Sequence, residues 1–266
     1  MPIPDSTRKA LTYTSYLRLD DLLDLQQPVS DEHDEMLFIV IHQVYELWFK
    51  QMLYEVRALQ THLEAAALGT SLASFKRILT ILKLLVAQVD ILETMTPVSF
   101  LSFRSRLESA SGFQSAQFRQ LEFLLGRKNR GLIEHHPEGS PGRRAIEAAY
   151  EAPTLWDSFV RFVAACGYDV PAALLERDVT RPIETDETLQ EALLAMYRED
   201  GLENSVCERM VDLDEGLQEW RYRHVKMVER TIGHKRGTGG SEGAGYLRTT
   251  LFEPLFPDLW EIRTRL

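Results

Sequence analysis

From Met36 to Phe49 the chain reads MLFIVIHQVYELWF, and no other stretch restricts the fold as much. Ser30 and Asp31 just before it are suited to cap a helix, and Asp34 and Glu35 sit where the helix dipole favours acids. A helix is therefore predicted over about 31–67. Met36, Phe38, Ile39, Val40, Ile41, Val44, Tyr45, Leu47, Trp48 and Phe49 surround the axis of such a helix, so its first half is expected to be enclosed on nearly all sides. His42 stands inside this run. It is either a core histidine satisfied by a hydrogen bond or a group held in a dry pocket for chemistry.

The helical period continues through most of the 266 residues, with no sustained period-two alternation, so the fold class is all-α. A second long helix is predicted over 72–95, after which Thr96 can cap and Pro97 can open a short helix, VSFLSFRSRL. AQFRQLEFLLG restarts a helix that Gly126 can end. Further helices are expected near 143–150, 154–166, 187–198, 203–232 and 253–264. On the longest of these, Leu217, Trp220, His224, Val228 and Thr231 recur at three- and four-residue spacings and share a face, so His224 points inward. No repeat or low-complexity linker interrupts the chain, and residues 1–266 are expected to form a single domain.

Charge and cysteine content narrow the function. With 40 acidic and 30 basic residues the net charge is -10, which argues against a general phosphate-binding surface and hence against nucleic acid as a partner. Cys166 and Cys207 are the only cysteines, too few for a disulfide framework or a thiolate cluster, so a reducing, cytoplasmic setting is expected. The N-terminus lacks the apolar core of a signal peptide, and no window reaches the roughly 18 apolar residues of a membrane span.

Among metal chemistries, zinc fits poorly: HExxH is absent, and His33 and His42 fall on opposite helix faces. Haem asks less of the chain, because one axial histidine on a rigid helix in an apolar pocket suffices. His42 and His224 both meet that description, and periodicity does not decide which would be the ligand and which would face a substrate. Arg104, flanked by Phe100 and Phe103, is either a carboxylate clamp or a surface residue whose stem lies on apolar neighbours. The glycine-rich KRGTGGSEGAG is either a flexible turn or a flap closing over a ligand. Tyr13 and Tyr16 share a helix face and either buttress the core or, if the N-terminal segment crosses to a neighbouring chain, line its pocket. The acidic residues are expected on solvated helix faces.

Three long segments, HDEMLFIVIHQVYELWFKQ, SGFQSAQFRQLEFLLG and WRYRHVKMVERTIGHKRGTGGS, together with LTYTSYLRLDDLL, resemble the tryptophan 2,3-dioxygenase family in order and through nearly the whole chain. The resemblance implies a helical fold around haem b, and a homotetramer, a dimer of dimers, in which an N-terminal arm, residues 1–28, reaches a neighbour's active site. It implies insertion of both atoms of O2 across the indole C2–C3 bond of L-tryptophan, giving N-formylkynurenine. By motif, His224 would be the proximal iron ligand and His42 the distal residue that bonds the indole N–H. Phe38 would pack on substrate, Arg104 would hold its carboxylate, and Thr238 would bind it as the loop closes. Tyr13 and Tyr16 would cross between subunits, with Phe100, Ser111 and Gly112 around the pocket. Where many relatives read GTGGSSG, this chain reads GTGGSEG, so Glu242 is either exposed or turns the pocket toward a substituted indole. Two other outcomes stand beside dioxygenation: haem-dependent monooxygenation of a substituted tryptophan, and non-catalytic binding of haem or an indole.

Overall fold

The computed structural model describes residues 10–199, 201–235, 237 and 244–266, with only the backbone at 246. Among these residues every regular element is helical and no strand occurs. Two short helices, α1 (Tyr13–Leu17) and α2 (Leu19–Leu23), precede the 32-residue α3 (His33–Glu64). Three residues, with Ala66 at φ 49°, then reverse the chain into α4 (Leu68–Leu92), so that the two long helices pack as antiparallel neighbours. The short α5 (Pro97–Arg104) starts as its sequence dictates: the Thr96 hydroxyl accepts the Ser99 N–H at 3.1 Å and Pro97 takes the first position. The α6 helix (Ala116–Leu124) stops just before Gly126, whose φ of 107° excludes most side chains.

After α7 (Pro141–Glu151), α8 (Leu155–Ala165), α9 (Ala172–Leu175) and α10 (Glu187–Arg198) comes the second organising helix, α11 (Asn204–Ile232). The chain closes with α12 (Ala244–Arg248) and α13 (Pro257–Glu261). The helix predicted over 253–264 is thus shorter, because Pro257 lacks an N–H and is accommodated at the start of a helix rather than within it. Buried Asp214 secures this end: it accepts the Leu255 N–H at 2.8 Å, the Phe256 N–H at 3.2 Å and the Trp260 indole N–H at 2.9 Å.

One large apolar cluster unites the long helices. Met52, Val56, Leu59 and Leu63 of α3, at three- and four-residue spacings, join Phe75, Ile78, Leu82 and Leu85 of α4 and Met210, Leu213 and Leu217 of α11. Gly216 permits the close approach of α11 to α4, since a Cβ there would lie 2.8 Å from Leu82 Cδ2.

Three expectations are corrected. The first half of α3 is not enclosed: Met36, Val40 and Leu47 are exposed, because the core gathers around its second half. Its N-cap is Glu32 rather than Ser30 or Asp31, and the Ser30 hydroxyl donates to Glu35 instead. The acidic residues are not all on solvated faces. Glu35, Glu55, Glu122, Asp157, Asp214 and Asp258 are buried, each held by specific donors, most of them on other elements or in turns.

Candidate active site

The exposed half of α3 carries a cavity wall on its other side. Phe38 and His42 lie one turn apart there, with ring centroids 4.1 Å from each other. His42 Nδ1 is 2.7 Å from the Phe38 carbonyl oxygen, which can only accept, so in the neutral ring Nδ1 carries the proton. Nε2 is left as an acceptor. Burial holds the imidazole below its ordinary pKa of 6.5, against the opposing pull of the Phe38 carbonyl and Glu46, so the ring is neutral near pH 7.

The face of α11 predicted from its periodicity supplies the opposite wall: Trp220, His224, Val228 and Thr231 all border the same cavity. Trp220 stacks nearly parallel to His224, with centroids 5.2 Å apart and an interplanar angle of 10°. His224 lies deep in the protein yet keeps accessible surface, because its ring faces the cavity. Burial first, then the nearby His42 and Arg119, push its pKa down to about 4.

Arg104, at the end of α5, is half-buried on the cavity wall beside Phe100, and Phe100 and Phe103 each lie 5.7 Å from the Phe38 ring. Ser111 and Gly112 border the same space, the Ser111 hydroxyl accepting the Phe113 N–H at 3.3 Å. The structure therefore gathers Phe38, His42, Phe100, Arg104, Ser111, Gly112 and His224 around one cavity. Thr238 and Glu242 lie outside the described residues, although Gly237 reaches the lining. Tyr13 and Tyr16 do not border it; at 75% and 72% exposed they do not buttress their own core either.

Sequence reasoning missed a buried ionic group on this wall. Arg119 pairs with Glu122, Arg221 donates to the other Glu122 oxygen at 3.2 Å, and the Arg119 guanidinium stands 4.7 Å from the Phe113 ring centre. Arg221 also donates to the Thr250 carbonyl at 3.4 Å, so the group joins α6, α11 and the chain beyond the glycine-rich loop. Their charges read as surface residues in the sequence; the one signal was that Arg119 and Glu122 stand at i,i+3 among aromatic residues.

The wall fits a haem in its chemistry. A histidine that serves as axial ligand must be neutral, and His224 is neutral, faces the cavity and is flanked by Trp220, Val225 and Val228. Among the described residues neither of its ring nitrogens has a hydrogen-bond partner.

A family model described as Tryptophan 2,3-dioxygenase matches residues 3–138 and 196–266. The chain belongs to the tryptophan 2,3-dioxygenase family. A protein of that name from Anaeromyxobacter sp. (strain K) is 58% identical over 266 residues, all of both chains. Another, from Herpetosiphon aurantiacus, is 55% identical over 97% of this chain and 99% of its own, and one from Bordetella pertussis is 44% identical over 96% and 91%. Every cavity-lining residue falls inside the two segments matched to the tryptophan 2,3-dioxygenase family, and the intervening 139–195 contributes none.

Proposed function

We propose that this chain is a haem-dependent tryptophan 2,3-dioxygenase that inserts both atoms of O2 across the indole C2–C3 bond of L-tryptophan to give N-formylkynurenine. The observation that carries the reading is His42: a neutral imidazole whose Nδ1–H is committed to the Phe38 carbonyl and whose Nε2 is an acceptor beside an aromatic wall. An indole N–H is a donor on a flat apolar ring, and Nε2 can accept it while Phe38 packs against the ring. Arg104 supplies a planar fork for the substrate carboxylate, and Thr238 would add a polar contact from the loop. Ser111, Gly112 and Phe100 border the same cavity. These residues bind, orient and exclude water, which holds the electron-rich C2–C3 bond in place for reaction.

His224 is the residue we assign to the haem iron. Bound there, ferrous haem b supplies the activation of O2. We further propose a cytoplasmic homotetramer, a dimer of dimers, of single-domain subunits. Two features support self-association: exposed Tyr13 and Tyr16 on an arm whose helices α1 and α2 bury no residue, and an apolar stripe of Met36, Val40, Leu47 and Tyr54. Among the described residues no helix is long and apolar enough to cross a membrane.

Turnover of L-tryptophan by the reduced enzyme in isotopically labelled O2 tests the assignment. The expected product is N-formylkynurenine with two labelled oxygen atoms. One labelled atom would instead mark a monooxygenase, and no product a binding protein.

A further inference from the structure

The arm that carries Tyr13 and Tyr16 is joined to the rest of the chain in an unusually specified way. Neither α1 nor α2 buries a residue, and Leu11, Leu23 and Leu25 beside the tyrosines are also exposed. Where residues 24–32 turn into α3, however, the chain is held at two points. Glu35, only 1% exposed, receives the Val29 N–H at 2.8 Å on one carboxylate oxygen, and the Ser30 N–H at 2.9 Å together with the Ser30 hydroxyl on the other. Eight residues further along α3, the Gln43 side chain donates to the Leu25 carbonyl at 3.2 Å and accepts from Gln26 Nε2, which also donates to Leu22 at 3.0 Å. Burial alone would raise the Glu35 pKa, but the bonds from Ser30 and Val29 outweigh it and lower it, so the carboxylate is charged at neutral pH and its bonds are charge-assisted.

Among the described residues the clasp has no large apolar contact to stabilise on the arm side, since neither α1 nor α2 buries a residue. What it determines is direction. Glu35 lies one turn before Phe38 and two turns before His42, and Gln43 follows His42 directly, so the arm departs from the segment that carries the two distal-wall residues. Gln43 also lies between Val40 and Leu47 on the bare face of α3, so the departure point sits on the stripe offered to a second copy.

We propose that Glu35 and Gln43 are positioning residues for the neighbouring subunit's substrate site: by clasping residues 25–30 they aim Tyr13 and Tyr16 at the pocket of a second copy of this chain. This rests on the reading that the arm crosses between subunits. Each subunit then ties its own distal helix to the closure of its neighbour's site. A misdirected arm is in place for only a fraction of the time, and apparent substrate affinity falls by that fraction.

The test uses haem-loaded enzyme. Glu35→Gln keeps the side-chain volume but removes the charge and one acceptor oxygen. It is expected to raise KM for tryptophan about tenfold, with kcat within about twofold and haem content unchanged. Gln43→Ala, which leaves the Glu35 bonds in place, is expected to act in the same direction and serves if Glu35→Gln does not fold. An unchanged KM in the folded variants overturns the proposal. Hybrid assemblies, purified through a separate tag on each subunit, then separate action across the interface from a local effect. A Glu35→Gln subunit beside an Arg104→Ala subunit has an intact pocket served by a correctly aimed arm, so a component with wild-type KM should reappear. The same pairing with Tyr16→Ala in place of Glu35→Gln tests the crossing itself. Recovery with Tyr16→Ala but not with Glu35→Gln overturns the positioning role alone, and recovery with neither overturns the crossing arm.

Discussion

His42 has its proton on Nδ1 because the atom facing that nitrogen is a carbonyl oxygen one turn back on the same helix. The pairing is local in sequence, yet its value depends on the dry cavity on the other side of the ring. Burial lowers the pKa, so the neutral acceptor form prevails at every pH above 6.5 and is lost only on further acidification. For the enzyme proposed here, kcat/KM should keep more than half its plateau value down to pH 6.5, and any acid limb assigned to His42 should have its midpoint below that. A midpoint above 6.5 that vanishes in a His42 variant would contradict the neutral-acceptor role. Arg104 makes a second test at this scale. Removing one member of a buried charge-assisted pair costs about 3 kcal/mol, so Arg104→Ala should raise KM for tryptophan about a hundredfold. The haem absorption spectrum should stay unchanged, and wild-type turnover would remove Arg104 from the site.

Helices α3 and α11 each do two jobs along their length. The C-terminal half of α3 builds core, and its N-terminal half bears a wall on one side and a bare stripe on the other. In α11 the change comes at Trp220, which belongs to the core and also borders the cavity, and His224 and Val228 continue the wall. The approach of α11 to α4 at Gly216 therefore bears on the site two turns away, because a shift there would carry His224 with it. Gly216→Val would meet Leu82, which is only 2% exposed and has little room to give. Overpacking of this kind costs about 1–3 kcal/mol, and the change should lower the urea midpoint with the slope preserved. An unchanged midpoint would mean that the two helices separate freely. The helices themselves were legible from periodicity, capping residues and proline. The ends of the chain's last helix were less so, because Pro257 had to be recognised as a starting rather than an interior residue.

At the scale of the molecule, Met36, Val40, Leu47 and Tyr54 fall within about 40° of one another around α3, on the face away from Phe38 and His42. An aligned, exposed apolar stripe that long calls for a partner, and for a chain proposed to form a homotetramer the natural partner is a second copy. Leu47→Glu puts a charge in the middle of the stripe and should shift the protein to a smaller species in sedimentation, with helical content retained. Substrate affinity should fall with it, since an arm with no neighbour completes no pocket. Wild-type assembly in that variant would locate the subunit contact elsewhere.

The sequence by itself determined that the chain is all-α, where the long helices run, and which histidines stand on apolar faces. These follow from the 3.6-residue period, which needs no knowledge of what lies opposite. Family resemblance added the roles. Only the tertiary structure decided that His42 and His224 look into one cavity, that Arg104 borders it, and that Tyr13 and Tyr16 leave their own pocket alone. It also revealed Arg119, Glu122 and Arg221 as a buried group, and Glu35 as the carboxylate that holds the arm. For the charged groups the physical reason is shared. A charged side chain follows its partners, and those partners sit on other elements or in a turn whose path no helical period describes.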